Sequence, residues 1–219
     1  WLKDRDFGKW VAHLSRFVGR WLSDKTTANQ VTLAGLAACV PMTILFLLDS
    51  YFLASVLLAF YLSTDFIDGA LARYQQGKRP HMTLEEERKL TWRQRINYRG
   101  VTHLGKTLDP LRDKVGFFSV LYAIGLGMVE NSLVVALTTV GVALTVIRPI
   151  KRYYNLGDST SNRFGKYKVL VEVVALCLLV LYRENPMVLN IAFAAALILG
   201  LTSLGGHLLG AYVAFRARR

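Results

Sequence analysis

Four aspartates in or beside apolar runs are the residues of this chain best suited to chemistry. The chain reads Asp65-Phe-Ile-Asp68-Gly69-Ala-Leu-Ala72-Arg73 and, after 31 intervening residues, Gly105-Lys-Thr-Leu-Asp109-Pro-Leu-Arg112-Asp113. A carboxylate near hydrocarbon costs about 3 kcal/mol on insertion scales, so four together call for a compensating partner. Asp65 and Asp68 are three residues apart, Asp109 and Asp113 four, and on helices each pair shares one face. Two such helices face to face would form an all-oxygen pocket with four negative charges, suited to hard divalent cations such as Mg²⁺, Mn²⁺ or Ca²⁺ rather than zinc. Two cations would supply the missing charge. Gly69, Ala72 and Gly105 keep the neighbouring wall low, so that a substrate or a second helix can approach the backbone. The competing reading is a set of buried ion pairs holding helices together, with Arg73 and Arg112 as the partners.

The pattern D-x-x-D-G-x-x-A-R followed by G-x-x-x-D-x-x-x-D resembles that of the CDP-alcohol phosphatidyltransferases, and every fixed position is filled. Five fixed residues in the first half alone give roughly one chance match per million start positions. One departure is the spacing: the family usually has about eight residues between the Arg and the second Gly, against the 31 here. The resemblance implies that Asp65, Asp68 and Asp109 ligate metal, with Mg²⁺ or Mn²⁺, two ions in all, as cofactor. It further implies that Asp113 takes the acceptor's proton while also touching metal. Arg73 would neutralise phosphate or buttress the aspartates, and Gly69, Ala72 and Gly105 would leave room for the nucleotide. The element Asn29-Gln-Val-Thr32 resembles an N-x-x-T found at this place in the family, able to reach nucleotide or the metal-bearing helix; helix capping is the alternative.

Elements of membrane-spanning character must position these groups. Apolar residues make up 53% of the 219, with a net charge of +12 and a mean hydropathy of +0.33, a combination expected of a polytopic membrane protein with a basic face. Six runs have spanning length: about 29–48, 51–72, 106–129, 131–150, 166–183 and 186–214. The expected fold is therefore all-α, six transmembrane helices preceded by an amphipathic interfacial helix. The first 28 residues form that N-terminal segment, and 29–219 the membrane domain with a cytoplasmic insertion at 74–104. No cleavable signal peptide is recognisable, and a chain opening at Trp1 is expected to lack its native beginning. Pro41 is expected to kink the first span, and Pro110 to start or bend a helix near Asp109.

Lys and Arg collect before the first span, between Arg73 and Lys106, between Lys151 and Lys168, and in the tail. By the positive-inside rule both termini and the acidic site face the cytoplasm. Residues 1–22 place Leu2, Phe7, Trp10, Val11, Leu14, Phe17, Val18 and Trp21 at helical spacing among cations, as expected of a helix lying on a leaflet or on the protein's own surface. Within the insertion, Thr83-Leu-Glu85-Glu86 has the form of a capping box opening a charged helix over 83–99, with Glu85, Glu86 and Glu87 as a solvated acidic first turn.

Arg148 at the end of the fourth span and Gly165-Lys166-Tyr-Lys168 opening the fifth are similar to the phosphatidylglycerophosphate synthase branch of the family, although Pro149 and Val169 depart from it. Arg148, Arg163, Lys166 and Lys168 are the candidates for holding an acceptor phosphate; the alternative is positive-inside charge and anionic-lipid contact. The expected partners are CDP-diacylglycerol, a small phosphorylated alcohol with glycerol 3-phosphate favoured, membrane lipids and a second copy of the chain, the pair Gly206 and Gly210 being compatible equally with helix contact within the chain and with a dimer. Inositol phosphate, serine and phosphatidylglycerol are the other acceptors considered. Nucleic acid is not expected as a partner. From a different class, a cation carrier with an acidic intramembrane site is the competing function; no internal repeat supports it. Cys39 and Cys177 lie in separate spans with no CxxC neighbour and are expected to be apolar fillers.

Overall fold

The computed structural model describes residues 2–76, 82–100, 102–154 and 163–216. These residues are helical apart from short connections and one isolated bridge, Leu126 to Val129. The helices are α1 (Leu2–Leu22), α2 (Ala28–Leu47), α3 (Tyr51–Gln76), α4 (Leu84–Arg88), α5 (Trp92–Ile96), α6 (His103–Val120), α7 (Asn131–Tyr153), α8 (Arg163–Leu181) and α9 (Pro186–Arg216), with a π-helical turn at Leu121–Gly125. Among the described residues three are long and apolar enough to cross a membrane: Ala28–Leu47, Tyr51–Gln75 and Pro186–Arg216; Asn131–Ile147 is apolar but shorter. The expected six spans are thus met in part. The expected span 106–129 is split, α6 giving way to the π turn and then to the Leu126–Val129 bridge. Large apolar side chains such as Ile44, Phe52, Leu53, Val56 and Phe60 are exposed along α2 and α3, and Leu208, Leu209 and Val213 along α9. This is the surface expected of helices solvated by lipid tails.

The chain divides into two compact units, Trp1–Leu45 with Phe52–Gly116, and Phe46–Tyr51 with Phe117–Arg219. In the second unit α9 packs on α7 and α8, around Val134, Leu137, Leu179, Leu189 and Phe193, all buried.

In the first unit, glycines set how closely the helices approach. A Cβ at Gly19 of α1 would lie 2.8 Å from Tyr74 Cβ and 2.9 Å from Ala70 O of α3, so α1 is laid directly on the end of α3. Phe17 and Trp21 remain exposed. The N-terminal helix thus meets the protein and still presents an apolar edge outward. The side chains of Leu2, Phe7, Trp10 and Val11 lie outside the described residues. A Cβ at Gly35 of α2 would stand 2.4 Å from Thr64 Oγ1, and one at Gly116 of α6 would stand 2.2 Å from Tyr61 Cζ and Oη. Gly116→Ala should therefore destabilise: overpacking of this kind costs about 1–3 kcal/mol, against a helix-propensity gain of about 0.5–1 kcal/mol. Thermal unfolding in detergent is expected to shift downward, and an upward shift would contradict the tight Tyr61 contact.

Both prolines sit inside helices. α2 is continuous through Pro41, and α6 begins at His103, seven residues before Pro110. Of the two expectations for Pro110, a start or a bend, the start is corrected: it lies at residues 102–105, where side-chain acceptors meet the free amides. The single helix expected over 83–99 is two one-turn helices, each with its own capping box. Thr83 pairs reciprocally with Glu86, as the sequence pattern predicts. Thr91 and Gln94 repeat the motif eight residues later and restart the chain. The Thr83 amide donates to the Glu86 carboxylate and holds its pKa below the usual range.

Candidate active site

The aspartates converge. Asp65 and Asp68 come from α3, Asp109 and Asp113 from α6, and between them stands the guanidinium of Arg112, fully buried. Arg112 Nη1 donates to Asp68 and Nη2 to Asp65, with Nη2 also 3.2 Å from Asp113 Oδ1. On α6 Arg112 follows Asp109 by three residues and precedes Asp113 by one, so it lies beside the face the acids occupy. Its berth is built by small and shaped neighbours. A Cβ at Gly35 would come within 3.1 Å of Arg112 Cδ, Tyr61 Oη donates to Arg112 O at 3.0 Å, and the guanidinium lies 5.9 Å from the Tyr61 ring centroid. Arg112 Nε is buried without an acceptor.

The competing reading of Asp–Arg pairing is therefore realised for Arg112 and not for Arg73. Arg73 Nη2 donates to Ser15 Oγ of α1 at 2.9 Å, and its guanidinium lies over Gly69. Arg73 thereby ties the N-terminal helix to the end of the helix that carries Asp65 and Asp68.

A cavity opens on the other side of Asp68 and Asp109. Ala28, Asn29 and Thr32 line it from α2, Asp68, Gly69 and Ala72 from α3, and Gly100, Thr102, Gly105 and Asp109 from the α6 side. The residues singled out for nucleotide, Asn29, Thr32, Gly69, Ala72 and Gly105, thus share one cavity with two of the aspartates, while Arg73 does not line it. Thr32 Oγ1 lies 2.9 Å from Asp68 Oδ2, 3.3 Å from Asp109 Oδ1 and 3.1 Å from Ala28 O. With a single proton the hydroxyl donates to one of the three at a time, so it can follow charge from one carboxylate to the other. Asn29 Nδ2 donates to Arg95 O at 2.9 Å and to Thr102 Oγ1 at 3.0 Å. A Cβ at Gly105 would meet Asn29 Oδ1 at 2.5 Å, so glycine there admits the Asn29 amide rather than an open wall.

Exposure separates the roles open to the acids. The Asp68 side chain is 7% exposed, that of Asp113 36% and that of Asp65 61%. Asp68 is the structural centre; Asp113 and Asp65 can be reached from outside. The donor set is carboxylate and hydroxyl oxygen with no thiol or imidazole, which fits a hard divalent cation. Among the described residues no group of three or more His, Cys, Asp or Glu side chains stands close enough to hold a metal ion, and Arg112 bridges three of the aspartates. A cation held by Asp65, Asp68 or Asp113 would share that carboxylate with the guanidinium, while Asp109 meets Thr32 instead.

Of the four residues considered for acceptor phosphate, only Lys168 has a described side chain; those of Arg148, Arg163 and Lys166 lie outside the described residues. Lys168 is buried and pairs with Glu172 one turn along α8. Lys151 is likewise buried, its amine near Gly210 of α9. Cys39 and Cys177 are free thiols.

Compared with protein-family models, the sequence matches CDP-alcohol phosphatidyltransferase over residues 25–77 and 97–202. The chain belongs to the CDP-alcohol phosphatidyltransferase family. It is accordingly an enzyme that transfers a phosphatidyl group from a CDP-alcohol to an acceptor, and an integral membrane protein. The match takes in all four aspartates and breaks over 78–96, the heart of the insertion. A comparison with curated proteins gave no match. Two residues of consequence were not picked out as site residues from the sequence. Thr102 carried no motif. Arg112 did carry a signal, its spacing of three from Asp109, but was weighed only as a partner in helix pairing.

Proposed function

We propose that this enzyme transfers the phosphatidyl group of CDP-diacylglycerol to glycerol 3-phosphate and releases CMP, on the cytoplasmic side of a membrane. The observation that carries the reading is the convergence of Asp65, Asp68, Asp109 and Asp113 beside a cavity lined by Asn29, Thr32, Gly69, Ala72 and Gly105, in a chain of this family. Asp65, Asp68, Asp109 and Asp113 would hold Mg²⁺ or Mn²⁺; when bound, such ions supply positive charge to the diphosphate and to the departing CMP.

The chain's own groups do the rest. Gly69 and Ala72 leave the α3 backbone low where a nucleotide would lie. Thr32 and Arg112 hold the carboxylates in place before substrate arrives, so little reorganisation remains for the reactive step. Asp113, partly open to solvent, takes the proton from the acceptor hydroxyl as its oxygen bonds to the lipid-bearing phosphorus. The bond from that phosphorus to the CMP oxygen breaks, and CMP leaves with the electron pair. The acceptor choice and the orientation rest on the sequence: the basic stretch Arg148–Lys168 favours an acceptor carrying phosphate, and the Lys and Arg distribution places site and termini in the cytoplasm.

Purified enzyme in detergent with labelled CDP-diacylglycerol, Mn²⁺ and separate alcohols tests this. Phosphatidylglycerophosphate is expected with glycerol 3-phosphate and no product with serine. Product with serine, inositol phosphate or phosphatidylglycerol but none with glycerol 3-phosphate would overturn the acceptor assignment. CMP release without divalent metal would overturn the metal assignment.

A further inference from the structure

The insertion between the two motif halves is longer than the family pattern and falls outside the family match at 78–96, yet both of its short helices are hydrogen-bonded to the starts of helices that line the site. Its first helix carries Glu85, Glu86 and Glu87, and the third of these is not the solvated residue its neighbours are. Glu87 is 3% exposed. Its Oε2 accepts from the His103 amide at 2.6 Å and its Oε1 from the Leu104 amide at 2.9 Å. Thr102 Oγ1 accepts from the Gly105 amide at 3.0 Å. The opening amides of α6 are thus satisfied by side chains, one of them a buried carboxylate facing the positive end of an 18-residue helix.

The second helix of the insertion and the residues just after it are tied to the start of α2, here mainly by side chains that donate to carbonyls. Thr27 Oγ1 donates to Ile96 O at 2.6 Å, Asn29 Nδ2 to Arg95 O at 2.9 Å, Gln30 Nε2 to Asn97 Oδ1 at 2.7 Å, and Arg99 Nη2 to Asp24 O at 2.9 Å. The segment therefore fastens the starts of α2 and α6 to each other. These are the helices that bring Thr32 and Asp109 together across the cavity, and Gly100 and Thr102 at its end line that cavity.

We propose that residues 83–100 are a strap that sets the position of α6 over the CDP-donor cavity, with Glu87 as its positioning residue. Asp109 lies six residues from His103, about 9 Å along the helix. The Glu87 carboxylate consequently fixes how far α6 advances toward Thr32 and Asp68, and so the width of the donor cavity. The inference rests on the donor site proposed above and concerns the donor alone; it leaves the acceptor open.

The test uses the full-length enzyme in nanodiscs with CDP-diacylglycerol and whichever alcohol supports turnover. Glu87→Ala removes both acceptors, and Glu87→Gln keeps one. The KM for CDP-diacylglycerol is expected to rise in the order wild type, Gln, Ala, by roughly threefold to tenfold for Ala, with the acceptor KM unchanged. Backbone hydrogen exchange at 103–113 is expected to quicken in the same order. A variant with lowered thermal stability but unchanged donor KM would mean that the strap serves stability alone, and would overturn the proposal. If the Ala variant does not fold, the Gln variant decides by the same readouts. Absence of turnover in wild type with every alcohol would instead strike at the proposed function, so the two failures are distinguishable.

Discussion

Asp113→Asn is expected to abolish CMP release from CDP-diacylglycerol, with a fall in kcat of roughly 10²–10⁴-fold, while the protein remains folded. Asn keeps the shape of the side chain and an oxygen that can still accept from Arg112 Nη2, now at 3.2 Å from Asp113 Oδ1. What it lacks is the capacity to take a proton. Asp65→Asn provides the contrast. Asp65 has the most exposed side chain of the three acids bonded to Arg112, and its loss should raise the Mn²⁺ concentration required without abolishing turnover at saturation. Steady-state CMP release across a metal titration separates the two. Asp113→Asn restored by excess Mn²⁺ would show that Asp113 is a metal ligand and not the base.

Arg112→Met should produce the second large effect, on stability and on its dependence on metal. The wild-type guanidinium is buried and bridges Asp65, Asp68 and Asp113. Removing one partner of such a network leaves charge uncompensated, at a cost of about 3–5 kcal/mol. In EDTA the variant is expected to unfold at a clearly lower temperature than wild type. Mn²⁺ should then restore more stability to the variant than it adds to wild type, because it restores the positive charge that the side chain supplied. Arg112→Lys should fall between, since an ammonium retains charge but not the planar fork that meets two carboxylates at once. Equal unfolding temperatures for wild type and Arg112→Met in EDTA would show that the guanidinium contributes nothing net and that the carboxylates tolerate one another.

The Arg112 network also changes the meaning of the acidic cluster. Four aspartates near hydrocarbon pose an energetic problem, and Arg112 on α6 meets part of it by pairing with Asp65, Asp68 and Asp113. The arrangement gives one reason why Gly35 and Gly116 are glycines: each keeps clear the space that Arg112 or its neighbour Tyr61 fills.

The local chemistry of the site was legible in the residues themselves. Asp65 and Asp68, Asp109 and Asp113 stand at helical spacing in runs whose apolar neighbours demand helices, and the small residues Gly69 and Ala72 follow one turn later. The all-α class follows from the same runs, and the Thr83 capping box from a four-residue pattern, because these are short-range effects in which the partners are three or four residues apart. Packing decided the remainder. That Arg112 meets Asp65 and Asp68 depends on how α6 lies against α3, and that Arg73 turns to Ser15 on which face of α1 lies against α3, choices made by contacts 47 and 58 residues apart in the chain. That Glu87, alone among three adjacent glutamates, is buried depends on where the first turn of α6 comes to rest, 16 residues on. Local spacing places charges on a helix face; only the approach of a second helix determines which of them must be matched, and by what.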